Sequence, residues 1–248
     1  MGEPDQPSTA RMIDFWLGGQ HHFPVDVAAA SAFEQAYGPC APVFRELRAF
    51  LGRTVQAMAA DGVDGFLVFG AGVPTMGNVH EVATDATVLY TDVDPVTIRL
   101  GQSILAGSDR AGYGFGDATD IGSVDPAQLH RFVPGWGRRP VGVVFLGLAA
   151  FLDDATLTRT LDELYAAAAP GSLLAVDFDT EELAAHPQAL AMMGPQFRMR
   201  PPAAFAPLLG RWAPTPDGIV PVAEWRPDGQ PARVPDAFHG VLAIRPAD

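Results

Sequence analysis

The sequence predicts a doubly wound α/β fold built on a mostly parallel sheet, and three observations predict it. Phe66-Leu-Val-Phe69 is an unbroken apolar run of the kind that forms a strand buried on both faces. It stops at Gly70-Ala71-Gly72, after which Asn78-Val-His-Glu81 reads as the start of a helix. From there to Asp177, apolar strand-like runs alternate with helix-like patterns, as βαβ units require.

Taken in order, residues 1–7 read as a loose tail. Ser8 or Thr9 could cap a short helix through Arg11 to Leu17, ended by Gly18-Gly19. Asp26 to Tyr37 has helical apolar spacing, broken by Gly38-Pro39. Pro42 suits the first turn of a longer helix over Val43 to Ala60, in which Phe44, Leu47, Leu51, Val55 and Met58 recur at three- and four-residue intervals. Some 60 residues of helix thus precede the first strand and are expected to pack over the sheet's edge or its ligand-binding end, as a cap that excludes water from the cavity. Val88-Leu-Tyr-Thr-Asp92 is the second expected strand, Pro95 to Leu105 a helix, Tyr113-Gly-Phe-Gly-Asp117 the third strand and Val141 to Leu146 the fourth. Leu157 to Ala168 is amphipathic and ends at Pro170-Gly171, and Ser172 to Asp177 is the fifth strand. Residues 181–217 are proline-rich; Met192, Met193, Phe197, Met199, Phe205 and Trp212 read there as core or as an apolar wall for a substrate. Ile219 to Val222 and Gly240 to Ile244 would close the sheet.

The strand, glycine turn and helix start at 66–81 put free backbone N–H groups and a positive helix end at the carboxyl edge of the sheet. Asp92 ends the next strand where it can hydrogen-bond ribose hydroxyls. The dinucleotide fingerprint wants a third glycine where this chain has Thr75, and no Lys-Ser/Thr pair follows to make a phosphate loop. A Gly-x-Gly turn with a later acid is the looser pattern of S-adenosylmethionine sites.

The segment Gly70-Ala-Gly-Val-Pro-Thr-Met-Gly-Asn-Val-His-Glu-Val-Ala83 resembles the signature of the actinobacterial S-adenosylmethionine-dependent methyltransferase family once described as DUF574. Ala10-Arg-Met-Ile-Asp-Phe-Trp-Leu-Gly-Gly19 is similar to that family's opening block, and Tyr90-Thr-Asp-Val-Asp-Pro95 and Val220-Pro-Val-Ala-Glu-Trp-Arg-Pro-Asp228 match later blocks in order. The resemblance implies a class I methyltransferase-like (Rossmann-like) fold with a seven-stranded, mostly parallel sheet, a helical cap over residues 1–60 and the Rossmann-like part over 61–248, forming one compact unit. It also implies S-adenosyl-L-methionine as cofactor, held by Gly70, Gly72, Asp92 and Asp117, with Thr75, Asn78 and His80 along the same turn. An acid at Asp117 would face the adenine amino group, or cap a turn.

Three departures from the family pattern fall at polar positions. Val68 stands where the family has an aspartate, Gln20-His21-His22 where it has Lys-Asp-Asn, and Ala150 where a histidine ends the fourth strand. His21 and His22 are the candidate catalytic bases, since adjacent histidines without further ligands do not make a metal site. Three readings stay open: methyl transfer to a small molecule of bacterial secondary metabolism, a cavity repurposed for cyclisation or rearrangement, and a noncatalytic ligand-binding protein.

Composition narrows the partners. With 48% hydrophobic and 18% charged residues the chain is of ordinary globular type. Its net charge of −13 repels phosphate backbones and anionic membranes, so neither nucleic acid nor membrane is an expected partner. Cys40 is the single cysteine and reads as a small buried apolar side chain. The first residues lack a signal pattern, and a cytoplasmic location is expected.

Overall fold

The computed structural model describes residues 4–247, so part of the tail expected at 1–7 lies outside the described residues. Three helices come first: α1 (Thr9–Trp16), α2 (Pro24–Tyr37) and α3 (Ala41–Ala60). Pro24 and Pro42 sit in the first turns of α2 and α3, where a missing N–H costs nothing. The alternating part then runs β1 (Gly65–Phe69), α4 (Val79–Val82), β2 (Thr87–Asp92), α5 (Pro95–Ile104), β3 (Ala111–Phe115), α6 (Pro126–Phe132), β4 (Gly142–Phe145), α7 (Asp154–Ala167) and β5 (Leu173–Asp179). Short helices α8 (Pro187–Met193) and α9 (Pro202–Phe205) precede β6 (Ala213–Pro214), β7 (Val220–Pro221) and β8 (Phe238–Ile244).

The sheet order is β3-β2-β1-β4-β5-β8-β6, with β7 also paired to β8. Strands β1 to β5 pair in parallel, while β8 runs antiparallel to β5, β6 and β7. The class is the one expected, with eight strands where seven were anticipated: β6 and β7 are two-residue strands, and only β7 was marked by an apolar run. Helix α6 carries the start signal Asp125-Pro126, in which Asp125 Oδ1 accepts from Ala127 N at 2.9 Å.

Alternation along β1 divides the core in two. Leu67 and Phe69 pack with Val143, Phe145, Leu174 and Val176 under α6 and α7. Phe66 and Val68 face the other way with Val88, Tyr90 and Val144, against Phe50, Leu51, Val55 and Met58 of α3. The helical stripe of α3 is therefore core on one side of the sheet, and the N-terminal end of the same helix reaches the carboxyl edge of the strands. In the proline-rich excursion, Phe205 and Trp212 are buried in the first of these cores, whereas Phe197 packs with Met193 and Met199 in a small separate cluster. Met192 stays 48% exposed, so it belongs to neither.

Candidate active site

A cavity of about 400 Å3 opens at the carboxyl ends of β1, β2 and β4, roofed by α1 and the start of α3. That volume lies within the range of small-molecule and cofactor sites. The glycine turn forms its floor. Gly70 (φ +54°) and Gly72 (φ +62°) both adopt left-handed conformations, and an added Cβ would lie 2.4 Å from Leu148 at Gly70 and 3.3 Å from Ala10 at Gly72. The turn is clamped from several sides: Ala71 N donates to Thr91 O, Thr91 Oγ1 to Val68 O, and Tyr113 Oη to Gly72 O.

Asp92 stands at the edge of the turn. Its Oδ2 accepts from Gly72 N at 3.1 Å and its Oδ1 from Asp94 N at 3.0 Å, which fixes the carboxylate while leaving lone pairs for hydroxyl donors. Asp117 also lines the cavity, and its Oδ1 accepts from Thr119 N and Oγ1, both at 2.8 Å. Asp117 thus caps its own turn and lines the cavity at once. Val93 and Phe151, 56% and 43% exposed, add apolar surface that a bound ring would cover.

Four of the expected cofactor residues, Gly70, Gly72, Asp92 and Asp117, share one cavity wall. Thr75, Asn78 and His80 lie behind it. Thr75 Oγ1 donates to Asp14 Oδ1 at 2.7 Å, and Asn78 is buried with its Oδ1 accepting from Arg48 at 2.9 Å. Tyr90 Oη accepts from His80 N at 3.0 Å and lies within hydrogen-bond distance of His80 Nδ1, at 2.8 Å. Burial lowers the His80 pKa from its ordinary value despite nearby Glu81, which favours the neutral ring. His21 and His22 do not line the cavity either. They meet at Asp14, whose Oδ2 accepts from His21 N at 2.7 Å and from His22 Nδ1 at 3.0 Å.

Sequence reasoning overlooked Asp14, Arg11 and Arg48. Asp14 is 2% exposed, lines the cavity, and sits so close to Gly19 that a Cβ there would fall 2.0 Å from Oδ1. The clue was a carboxylate inside the apolar stretch Met12-Ile13-Asp14-Phe15-Trp16. Arg11 binds Asp26 (Nε to Oδ2, 2.8 Å) and Asp94 (Nη1 to Oδ2, 3.1 Å), bolting α1 to α2 and to the end of β2. Burial raises the Asp94 pKa, but hydrogen bonds from Thr97 and Val96 and the Arg11 charge outweigh it and hold the carboxyl below its usual value. Arg48 faces the cavity from α3 with one side-chain bond, to Asn78, and burial lowers its pKa.

The remaining wall follows β4. Leu146, Gly147, Leu148, Phe151 and Leu152 line the cavity, and Ala149 and Ala150 are buried beneath them. Arg200 holds this segment from behind, donating to Ala149 O, Leu152 O and Asp154 Oδ1. Asp177 Oδ1 accepts from Gly147 N at 2.6 Å. Val68, where the family carries an acid, is on the cavity wall and 5% exposed.

The fold has solved counterparts. The chain is similar to a candidate methyltransferase from Thermobifida fusca YX, with a TM-score of 0.88, 26% identity, and coverage of 98% of this chain and 96% of that one. It is similar also to a DUF574 family protein from Streptomyces avermitilis MA-4680, with a TM-score of 0.85, 27% identity and 98% coverage of both chains. A more distant likeness, of fold alone, is to the N-methyltransferase NodS from Bradyrhizobium japonicum WM9 in complex with S-adenosyl-L-homocysteine: TM-score 0.56, 12% identity, 88% and 99% coverage. No curated protein is similar enough to count as a relative. The sequence profile of the S-adenosyl methyltransferase family matches residues 3–245, nearly the whole length, and the chain belongs to that family.

Proposed function

We propose that this protein is an S-adenosyl-L-methionine-dependent methyltransferase acting on a small molecule, a cytoplasmic enzyme of actinobacterial secondary metabolism in which the helical cap and the Rossmann-like part work as one unit. The observation that carries the reading is the cavity wall on which Gly70, Gly72, Asp92 and Asp117 meet beneath α1. When bound, the cofactor supplies an activated methyl group on a sulfonium, so the protein's task is to bind, orient and exclude water.

In this reading Gly70 and Gly72 admit the ligand to the backbone, Asp92 accepts ribose hydroxyls, and Asp117 accepts from the adenine amino group. Arg48, the half-buried cation that lines the cavity, pairs with the cofactor's carboxylate. His22 acts through Asp14: its ring N–H orients the carboxylate that faces the cavity, and Asp14 is the group able to take a proton from an acceptor. His21 contributes a backbone N–H to the same oxygen, and Thr75, Asn78 and His80 stiffen the turn from behind.

The test is calorimetric titration with S-adenosylmethionine and S-adenosylhomocysteine. Micromolar binding, about −8 kcal/mol, is expected; absence of binding at millimolar ligand in folded protein refutes the assignment. A second reading, a cavity repurposed for cyclisation or rearrangement or for binding alone, is favoured by Val68 and Ala150, apolar where the family's pattern is polar. Formation of S-adenosylhomocysteine in an acceptor screen separates the two.

A further inference from the structure

A second cavity, of about 90 Å3, lies between α1, α2 and α3 and the carboxyl end of β5. It borders the larger one, since Thr9 and Phe44 face both. Its walls are largely aromatic: Trp16 stacks on Phe44 at 5.0 Å and packs near Phe33, with Tyr37, Phe197 and Phe238 completing the enclosure. In the doubly wound sheet, ligands gather outside the carboxyl ends of the strands, and this is the next such position along from β4.

The polar groups of this cavity are nearly all committed. Tyr37 Oη donates to Glu182 Oε2 at 2.9 Å, and His186 Nε2 lies 3.5 Å from Oε1 of the same residue. Thr180 Oγ1 donates to Asp236 O and accepts from Glu182 N, and Cys40 Sγ donates to Gly38 O. Burial pushes the Cys40 thiol up to about 12, which keeps it neutral. Two groups are exceptions among the described residues: Trp16 Nε1 is buried without a hydrogen-bond partner, and the Asp179 carboxyl accepts only from its own backbone N–H, with the charges of Asp177 and Arg200 nearby. The three guanidinium nitrogens of Arg200 are already bonded to Asp154 and to the carbonyls of Ala149 and Leu152. Asp177, two residues back on the same face of β5, adds negative potential, and burial raises the Asp179 carboxyl well above its ordinary value.

An apolar cavity with an uncommitted carboxyl group suits a ligand that is apolar with one cationic N–H donor, whose charge favours the ionised form of that carboxyl. At about 90 Å3 the space is smaller than the ~150 Å3 cavity that admits benzene, which suits a short aliphatic chain. We propose that this cavity is the acceptor subsite and takes an aliphatic amine, or the amine end of a larger acceptor, with its chain among Trp16, Phe33 and Phe197 and its nitrogen on Asp179. The assignment as an acceptor subsite rests on the methyltransferase reading, whereas the amine preference is a property of the cavity alone.

The test compares n-butylamine with its neutral isostere 1-butanol by ligand-observed NMR on the full chain, alongside calorimetry with S-adenosylhomocysteine on the same sample. Butylamine is expected to bind about 10- to 100-fold more tightly than butanol, the range of a charge-assisted hydrogen bond. Asp179→Asn is expected to abolish that preference without changing S-adenosylhomocysteine affinity. Equal binding of the two probes to the wild type, or an undiminished preference in Asp179→Asn, overturns the proposal. If the variant does not fold, the wild-type comparison decides alone. An amine preference without S-adenosylhomocysteine binding upholds the amine site and refutes the methyltransferase reading, while the reverse result refutes only the amine site.

Discussion

Replacing Asp177 by Asn should raise the stability of the protein relative to the wild type as the pH rises. Asp177 is 1% exposed, and burial raises its carboxyl from 3.8 to about 7, opposed by the hydrogen bond from Gly147 N. Below pH 3.8 the group is neutral folded and unfolded, and it costs nothing electrostatically. Between that value and about 7 the unfolded chain loses its proton first, so stability falls as the pH rises and levels off once the folded state has ionised too. From the two pKa values, the loss between pH 5 and pH 8 comes to about 2–3 kcal/mol. Asn keeps the acceptor for Gly147 N but puts an NH2 where Oδ2 has no partner, a fixed cost of about 1–3 kcal/mol. That cost cancels when the two pH values are compared. Urea unfolding of both proteins at pH 5 and pH 8, followed by tryptophan fluorescence, should show the variant gaining about 2–3 kcal/mol on the wild type between them. A stability difference independent of pH would refute the reasoning and place the Asp177 titration near its unfolded value.

Further outcomes follow from the larger cavity. Arg48→Met should weaken S-adenosylhomocysteine binding by about 1.5–3 kcal/mol in calorimetry, the worth of a hydrogen bond to a charged group. Asp92→Ala should lower that affinity at least about tenfold, because it removes the ribose acceptor and also frees Gly72 N and Asp94 N. Gly70→Ala forces a Cβ into Leu148 at a positive φ, so the melting temperature should fall by an amount equivalent to about 1–3 kcal/mol. His22→Ala should leave S-adenosylhomocysteine affinity unchanged and slow turnover by about 10- to 100-fold in a product assay, since Asp14 loses one of three donors without leaving the cavity.

The strands that carry the cavity floor were legible because a parallel strand buried on both faces reads as an uninterrupted apolar run. Phe66 to Phe69 and Val88 to Asp92 mark β1 and β2 almost to the residue. Strand β3 begins at Ala111, two residues before the expected Tyr113, because Gly112 and Gly114 dilute the pattern: Phe132 and Gln128 of α6 fill the space above them. Asp92 and Asp117 were visible as acids at strand ends. Asp14 and Arg11 were not, since what defines them is tertiary: Thr75 and Asp94, their partners, stand 61 and 83 residues away along the chain. The histidines drew notice as titratable side chains, yet from sequence alone nothing distinguished a ring in the cavity from one bonded to a residue that lines it.

Helix α1 is a partition with a ligand-facing side in each room. Ile13 and Asp14 belong to the larger cavity, Met12 and Trp16 to the smaller, and Thr9 to both. A molecule that stills this helix from one side lessens the ordering left for a molecule on the other. The two occupancies are then thermodynamically linked, and by reciprocity each ligand must change the other's affinity by the same factor.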